Sequence, residues 1–176
     1  MPLSIYEYEL KNRLILGTAL YSSLDIMQQA FKQANTQMLT IALKRQSYKN
    51  DNRFWDMIKS LNIKVLPNTA GCRTVQEAIA IAEMSREIFN TNLIKLELIG
   101  DDYTLHPNIF ALFKATEILI ERNFRVLPYC TDDIVVCKDL VTLGCEVLMP
   151  LASPIGSGQG LRNPRGLQLL RVEVTH

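Results

Sequence analysis

Six times along the chain an aliphatic run of strand length is followed by a polar turn and then by a segment of helical periodicity. The runs are "RLILGTAL", "MLTIAL", "IKVLPNTAGC", "NLIKLELIG", "FRVLPYCTDD" and "CEVLMPLASPIGSGQG". Helical segments are read from Leu24 to Ala34, around Phe54, Trp55 and Ile58, from Val75 to Phe89, from Pro107 to Arg122, and before Gly144. A last one opens at Asn163 and Pro164 and fades into "RVEVTH". Antiparallel strands can be joined by a tight turn, whereas parallel strands need a crossover, usually a helix. Repeated β-α units therefore predict an all-parallel α/β domain. No linker, low-complexity tract or shift of composition divides it, so residues 1–176 are read as one domain.

Local signals support these boundaries. Thr74 with Glu77 three residues on forms a capping box before the third helical segment, Pro107 suits a first helical position, and Gly144 suits a left-handed residue just past a helix. The acidic "TDD" of Thr131 to Asp133 is read as a helix cap ahead of Ile134 rather than as a catalytic group.

A formal net charge of +1, with 48% hydrophobic and 21% charged residues, leaves no electrostatic footprint for nucleic acid or a membrane surface. Apolar runs are too short to span a bilayer, and the opening "MPLSIYEYELKNRLILG" lacks a basic segment followed by an apolar core. A cytoplasmic protein is expected. Cys72, Cys130, Cys137 and Cys145 form no CxxC pair, and the two histidines, His106 and His176, are not at metal-ligand spacing. Free thiols and no metal are expected.

"NLIKLELIG" is unusual. In a strand, Leu93, Lys95, Glu97 and Ile99 point one way while Ile94, Leu96 and Leu98 point the other. One face is wholly aliphatic, and the other carries two opposite charges at its centre. A lysine in a closed apolar setting has its ammonium form disfavoured, and the neutral amine that results can attack a ketone. Glu97 would then shuttle protons, provided the side chains lean together across the ~7 Å that separates alternate strand residues. The plainer reading is a partly solvated face on which the charges merely pair, and taken alone the run favours it. "GSGQG", 156–160, offers nested amides suited to an anion but matches neither a P-loop nor a dinucleotide fingerprint, and by itself it reads as a flexible loop. Three run ends of the form "VLP" or "LMP" suggest one functional rim.

Taken together, "VLPNTAGCRTVQEAI", "TNLIKLELIGDDYTLHPN", "VLPYCTDD" and "MPLASPIGSGQGLRNP" resemble bacterial thiazole synthase, the ThiG family of thiamine biosynthesis, with weaker likeness in "RLILGT" and "MLTIALKR". The resemblance implies a TIM-type (β/α) barrel in which Lys95 forms an imine with the ketone of 1-deoxy-D-xylulose 5-phosphate. It implies that Glu97 is the acid/base partner in tautomerising that imine to an aminoketone, and that Gly156 contacts substrate. Sulfur would arrive as a thiocarboxylate on the tail of ThiS, a small ubiquitin-like carrier, and dehydroglycine would supply the remaining atoms. The resemblance implies no metal or organic cofactor, and a homo-oligomer is expected.

Two departures accompany it. The family usually has Gly-Lys after the "GT" of the first strand, where this chain has Ala19 and Leu20. The run of β-α units also ends at six of the eight a closed barrel needs, without the loops that hold phosphate and an aspartate of acid/base role. The expectation is a C-terminally truncated, open or incomplete barrel with unpaired edge strands. An alternative function is a non-catalytic remnant that binds ThiS or full-length subunits. An alternative fold is a doubly wound, flavodoxin-like sheet with "GSGQG" as a phosphate loop, a choice that strand order decides.

Overall fold

The computed structural model describes residues 2–45 and 52–174. The terminal His176 noted in the sequence lies outside these residues. Six parallel strands, β3 (Ile15–Gly17), β4 (Met38–Ala42), β5 (Lys64–Asn68), β6 (Leu93–Leu96), β7 (Arg125–Cys130) and β8 (Met149–Pro150), form one sheet in sequential order. A doubly wound sheet reverses its strand order at a switch point, and this one does not. The sheet curls as a partial barrel of TIM type, and among the described residues β3 and β8 are its edges.

Helices line the convex face: α1 (Leu24–Ala34), α2 (Asn52–Ser60), α3 (Val75–Phe89), α4 (Ile109–Glu121), α5 (Ile134–Thr142) and α6 (Pro164–Val174). A 3-10 turn, Leu43–Arg45, follows β4. In α1, Met27 and Phe31 are four residues apart and both buried, packing with Leu39 and Ile41 of β4 and with Phe54 and Ile58 of α2. Ile94, Leu96 and Leu98 pack outward with Leu112, Ala115 and Leu119 of α4. The alternation read in "NLIKLELIG" is therefore present, with its aliphatic face on the helix layer.

The caps form as the residue types dictate. The Thr74 and Glu77 capping box opens α3, Asp133 accepts from the N–H groups of Val135 and Val136 at the start of α5, and Gly144 follows α5 with φ at +108°. Pro107, in contrast, is not the first residue of α4. It bridges Ile99 in extended conformation, and Asn108 is the cap, its side chain accepting from the Ala111 N–H. An asparagine that can satisfy an orphan donor takes the cap from a proline that only fits the first turn.

One element goes beyond the parallel pattern. β1 (Leu3–Ile5) and β2 (Tyr8–Leu10) pair antiparallel, joined by Tyr6 and Glu7. Tyr6 has φ at +51°, a conformation that hairpin turns usually assign to glycine or asparagine, so the turn carries no sequence signal. The Tyr6 hydroxyl donates to the Val126 carbonyl at 2.8 Å, which anchors the turn to the sheet, and burial pushes its pKa up so that it stays a neutral donor. The hairpin covers the concave face, where Ile5 and Leu10 pack with Met38, Leu66, Leu93 and Leu127. Among the described residues no helix is long and apolar enough to cross a membrane.

Two predictions follow from the core. Thr116 of α4 is fully buried and its hydroxyl has no hydrogen-bond partner among the described residues. A buried unsatisfied hydroxyl costs about 1–3 kcal/mol, so Thr116→Val, which keeps the shape, is expected to raise stability by about 1 kcal/mol in urea denaturation; a lower midpoint would contradict this. All four cysteines are buried free thiols, and burial pushes Cys72 up to about 11 and Cys145 up to about 12. Iodoacetamide at pH 8 is therefore expected to leave Cys72 and Cys145 essentially unlabelled in minutes and to label both in denaturant, as read by peptide mass.

Candidate active site

The concave face changes character along the strands. Toward the strand N-termini lies the apolar floor of Met38, Leu66 and Leu93 beneath the hairpin. Toward the C-termini the inward side chains become polar. The register places Ala42 beside Asn68, Asn68 beside Lys95, and Lys95 beside Leu127. Neighbours in register on a parallel sheet share a face, so Lys95 points to the same side as Leu127, which packs on the hairpin.

Lys95 and Glu97 meet. Lys95 Nζ lies 2.7 Å from Glu97 Oε1, with the two side chains 20% and 10% exposed. The sequence places both residues inside one strand, but β6 ends at Leu96, and Glu97 lies one residue beyond it. On one side β5 ends at Asn68; on the other the register stops at Leu96 beside Pro128, which has no N–H to contribute. The departure from strand geometry lets the two side chains lean together.

Three further groups stand around this pair, none of them among the expected site residues. Asn68 donates to the Thr40 hydroxyl at 2.7 Å and accepts from the Ala70 N–H at 3.1 Å. Thr69, fully buried, bonds the backbone of Glu97. Tyr129, 6% exposed, feels the Glu97 charge. Burial first and that carboxylate second raise its phenol pKa, and its hydroxyl donates to the Leu105 carbonyl at 3.2 Å. Alternation within "VLPYC" and "VLPNT", set against the Lys95 register, places Asn68 and Tyr129 on the Lys95 wall but not Thr69, which follows Asn68 directly.

The rim is built by the loops after the strands, as the shared "VLP" and "LMP" ends suggest. After β6, Asp101 accepts from the Thr104 N–H and hydroxyl, at 2.7 and 2.6 Å, and Gly100 donates to the His106 carbonyl at 2.8 Å. A cleft of about 380 Å³ is lined by His106, Thr131, Asp132, Leu151, Ala152, Arg162 and Asn163 from the loops after β6, β7 and β8. Gly156 sits in the exposed loop after β8 with φ at +78°. The structure thus brings Lys95 and Glu97 into contact, and it places Gly156 on the rim loop after β8. Among the described residues no three His, Cys, Asp or Glu side chains gather as a metal site.

Comparisons with known proteins bear on the family and the fold. The model of the family "Thiazole biosynthesis protein ThiG" matches residues 4–175. A thiazole synthase of Coxiella burnetii (strain Dugway 5J108-111) is 53% identical over 164 residues, which are 93% of this chain and 63% of that protein. One of Variovorax paradoxus (strain S110) is 52% identical over 179 residues, 99% of this chain and 66% of that protein. The chain thus spans about two thirds of the length of these relatives or slightly less. Among solved structures, a chain of the Amycolatopsis orientalis BexX/CysO complex superposes with a TM-score of 0.85 at 23% identity, covering 98% of this chain and 71% of that one. The 3-dehydroquinate dehydratase from Geobacillus kaustophilus HTA426 superposes with a TM-score of 0.55 at 10% identity, covering 90% and 68%. At such identities the likeness is one of fold.

The rim also holds the departure at Ala19 and Leu20. Leu20 is fully exposed with φ at +68°, a left-handed conformation that costs a residue bearing a Cβ about 1–2 kcal/mol. Asparagine tolerates it, so Leu20→Asn is expected to stabilise the chain by about 0.5–1 kcal/mol. A fall in the thermal midpoint would show that the leucine is held there by contacts of its own.

Proposed function

Because the chain belongs to the ThiG family of thiazole biosynthesis proteins, we propose that it is a thiazole synthase whose Lys95 condenses with the ketone of 1-deoxy-D-xylulose 5-phosphate. The observation that carries this reading is the 2.7 Å contact between Lys95 Nζ and Glu97 Oε1 on the inner wall, near the strand C-termini. In barrels of this class, chemistry is done at that end. Proton transfer along the contact turns an ammonium and a carboxylate into a nucleophilic amine and a carboxylic acid.

The amine attacks C2 of the sugar, and the carbinolamine hydroxyl takes the proton from Glu97 and leaves as water. An iminium remains, with Glu97 again a carboxylate. Glu97 then removes the C3 proton, the C–H electrons form a C2–C3 double bond, and the C=N electrons return to nitrogen. Reprotonation at C2 and loss of the C3 hydroxyl proton give the aminoketone. The iminium itself is the electron sink. Gly156 is proposed to contact the substrate, since its left-handed backbone orients amides of an exposed rim loop.

Sulfur delivery by a ThiS thiocarboxylate and completion of the ring from dehydroglycine belong to the same proposal. The complex of BexX with CysO supports a protein partner for a chain of this fold. A cytoplasmic setting, where the four thiols stay reduced, goes with it.

Borohydride reduction in the presence of 1-deoxy-D-xylulose 5-phosphate is expected to leave one adduct on the peptide that carries Lys95, and Lys95→Ala is expected to abolish it. No adduct, or one that survives the substitution, would overturn the catalytic reading. It would leave a chain whose role is to bind the carrier or other subunits.

A further inference from the structure

Glu97 has no partner strand. β6 pairs with its neighbours only through Leu96, and its register with β5 consists of the one pair Asn68 and Lys95. The Glu97 backbone is nonetheless fully bonded, and both bonds go to one side chain. Its N–H donates to Thr69 Oγ1 at 2.8 Å, and its carbonyl accepts from the same hydroxyl at 2.8 Å. A hydroxyl offers one donor and two acceptor sites, so Thr69 can serve both groups at once and does.

The surrounding bonds hold Thr69 in place. Its own N–H donates to the Lys95 carbonyl at 3.2 Å, its carbonyl accepts from the Cys72 N–H at 3.0 Å, and the Cys72 carbonyl accepts from the Ile99 N–H at 3.4 Å. Where the β5 main chain turns away, a side chain therefore continues the ladder for one residue. That residue carries the carboxylate.

We propose that Thr69 is a positioning residue, whose hydroxyl fixes the Glu97 peptide and so keeps the carboxylate on the Lys95 amine and over the carbon it deprotonates. The proposal rests on the reading of Glu97 as the acid/base partner. Lys95 differs in kind, because strands on both sides hold it in register. Loss of the Thr69 hydroxyl should therefore separate two quantities: the equilibrium amount of imine on Lys95, which Glu97 as a general acid speeds but does not shift, and the rate of proton transfer at C3 by Glu97.

The experiment compares the wild-type chain, Thr69→Val and Thr69→Ser with 1-deoxy-D-xylulose 5-phosphate in D₂O. Borohydride added after the imine has equilibrated reads its amount, and the rate of deuterium gain at C3 of recovered sugar reads proton transfer. Valine keeps the shape without the hydroxyl, and a displacement of about 1 Å costs on the order of 100-fold in such a step. Thr69→Val is expected to trap within about 3-fold of wild type while exchange falls roughly 10- to 100-fold, with serine restoring most of it. Exchange unchanged in the valine variant, trapping and exchange falling together, or serine failing like valine would overturn the proposal. A substrate-free crystal structure of Thr69→Val separates this from the catalytic reading. It must show the Lys95 Nζ to Glu97 Oε1 contact lengthened beyond the 2.7 Å of the parent chain. An unchanged contact sinks the positioning role whether or not the wild-type chain forms an adduct.

Discussion

Ile5 and Leu10 press from the hairpin into the hollow of the sheet against Met38, Leu66, Leu93 and Leu127. Each such side chain, fully buried, contributes about 1.5–3 kcal/mol, so this contact is a large part of what makes the concave face an interior. It also sets the floor of the site. With the N-terminal half of the hollow filled by hydrocarbon, the polar side chains of Asn68, Lys95 and Glu97 occupy the half nearer the strand C-termini. The helix layer on the other face is independent of the hairpin, held by Ile94, Leu96 and Leu98 against α4 and by Leu39 and Ile41 against α1 and α2.

Above that floor the ion pair is a cost as much as a bond. Taking two charges out of water carries a desolvation penalty that their attraction only partly returns, and a well-packed apolar pair at the same places is often no less stable. The arrangement makes sense as chemistry: an amine and a carboxylate at hydrogen-bond distance, screened from bulk water, with a buried phenol nearby whose ionisation that same carboxylate opposes. The polar groups nearest the pair are themselves satisfied, Asn68 by Thr40 and Ala70, and Thr69 by the Glu97 backbone. A network with its members bonded holds its geometry, whereas a half-bonded one drifts.

Much of this was legible beforehand because it is periodic. A period of two in "NLIKLELIG" separated the Lys95 face from the Ile94 face, and the repeated strand-helix spacing called for a parallel sheet. Caps at Thr74, Asp133 and Gly144 were readable because each rests on the chemistry of one or two residues. The hairpin was not, since its turn uses Tyr6 where glycine or asparagine would have signalled it, and it is stabilised by a hydroxyl bonding to Val126, 120 residues away. Pro107 misled for a related reason: its ring suits a helix start, but an extended bridge to Ile99 holds it outside the helix.

The sequence by itself therefore determined the order of elements, the strand that carries the amine and carboxylate, and the family to which the chain belongs. These depend on local side-chain pattern and on motifs that can be read in line. Only the tertiary structure decided that Lys95 and Glu97 touch and that Thr69 and Tyr129 flank them. Those distances arise from the curl of the sheet and from where each neighbouring strand stops. Both are set by packing between residues far apart in the chain.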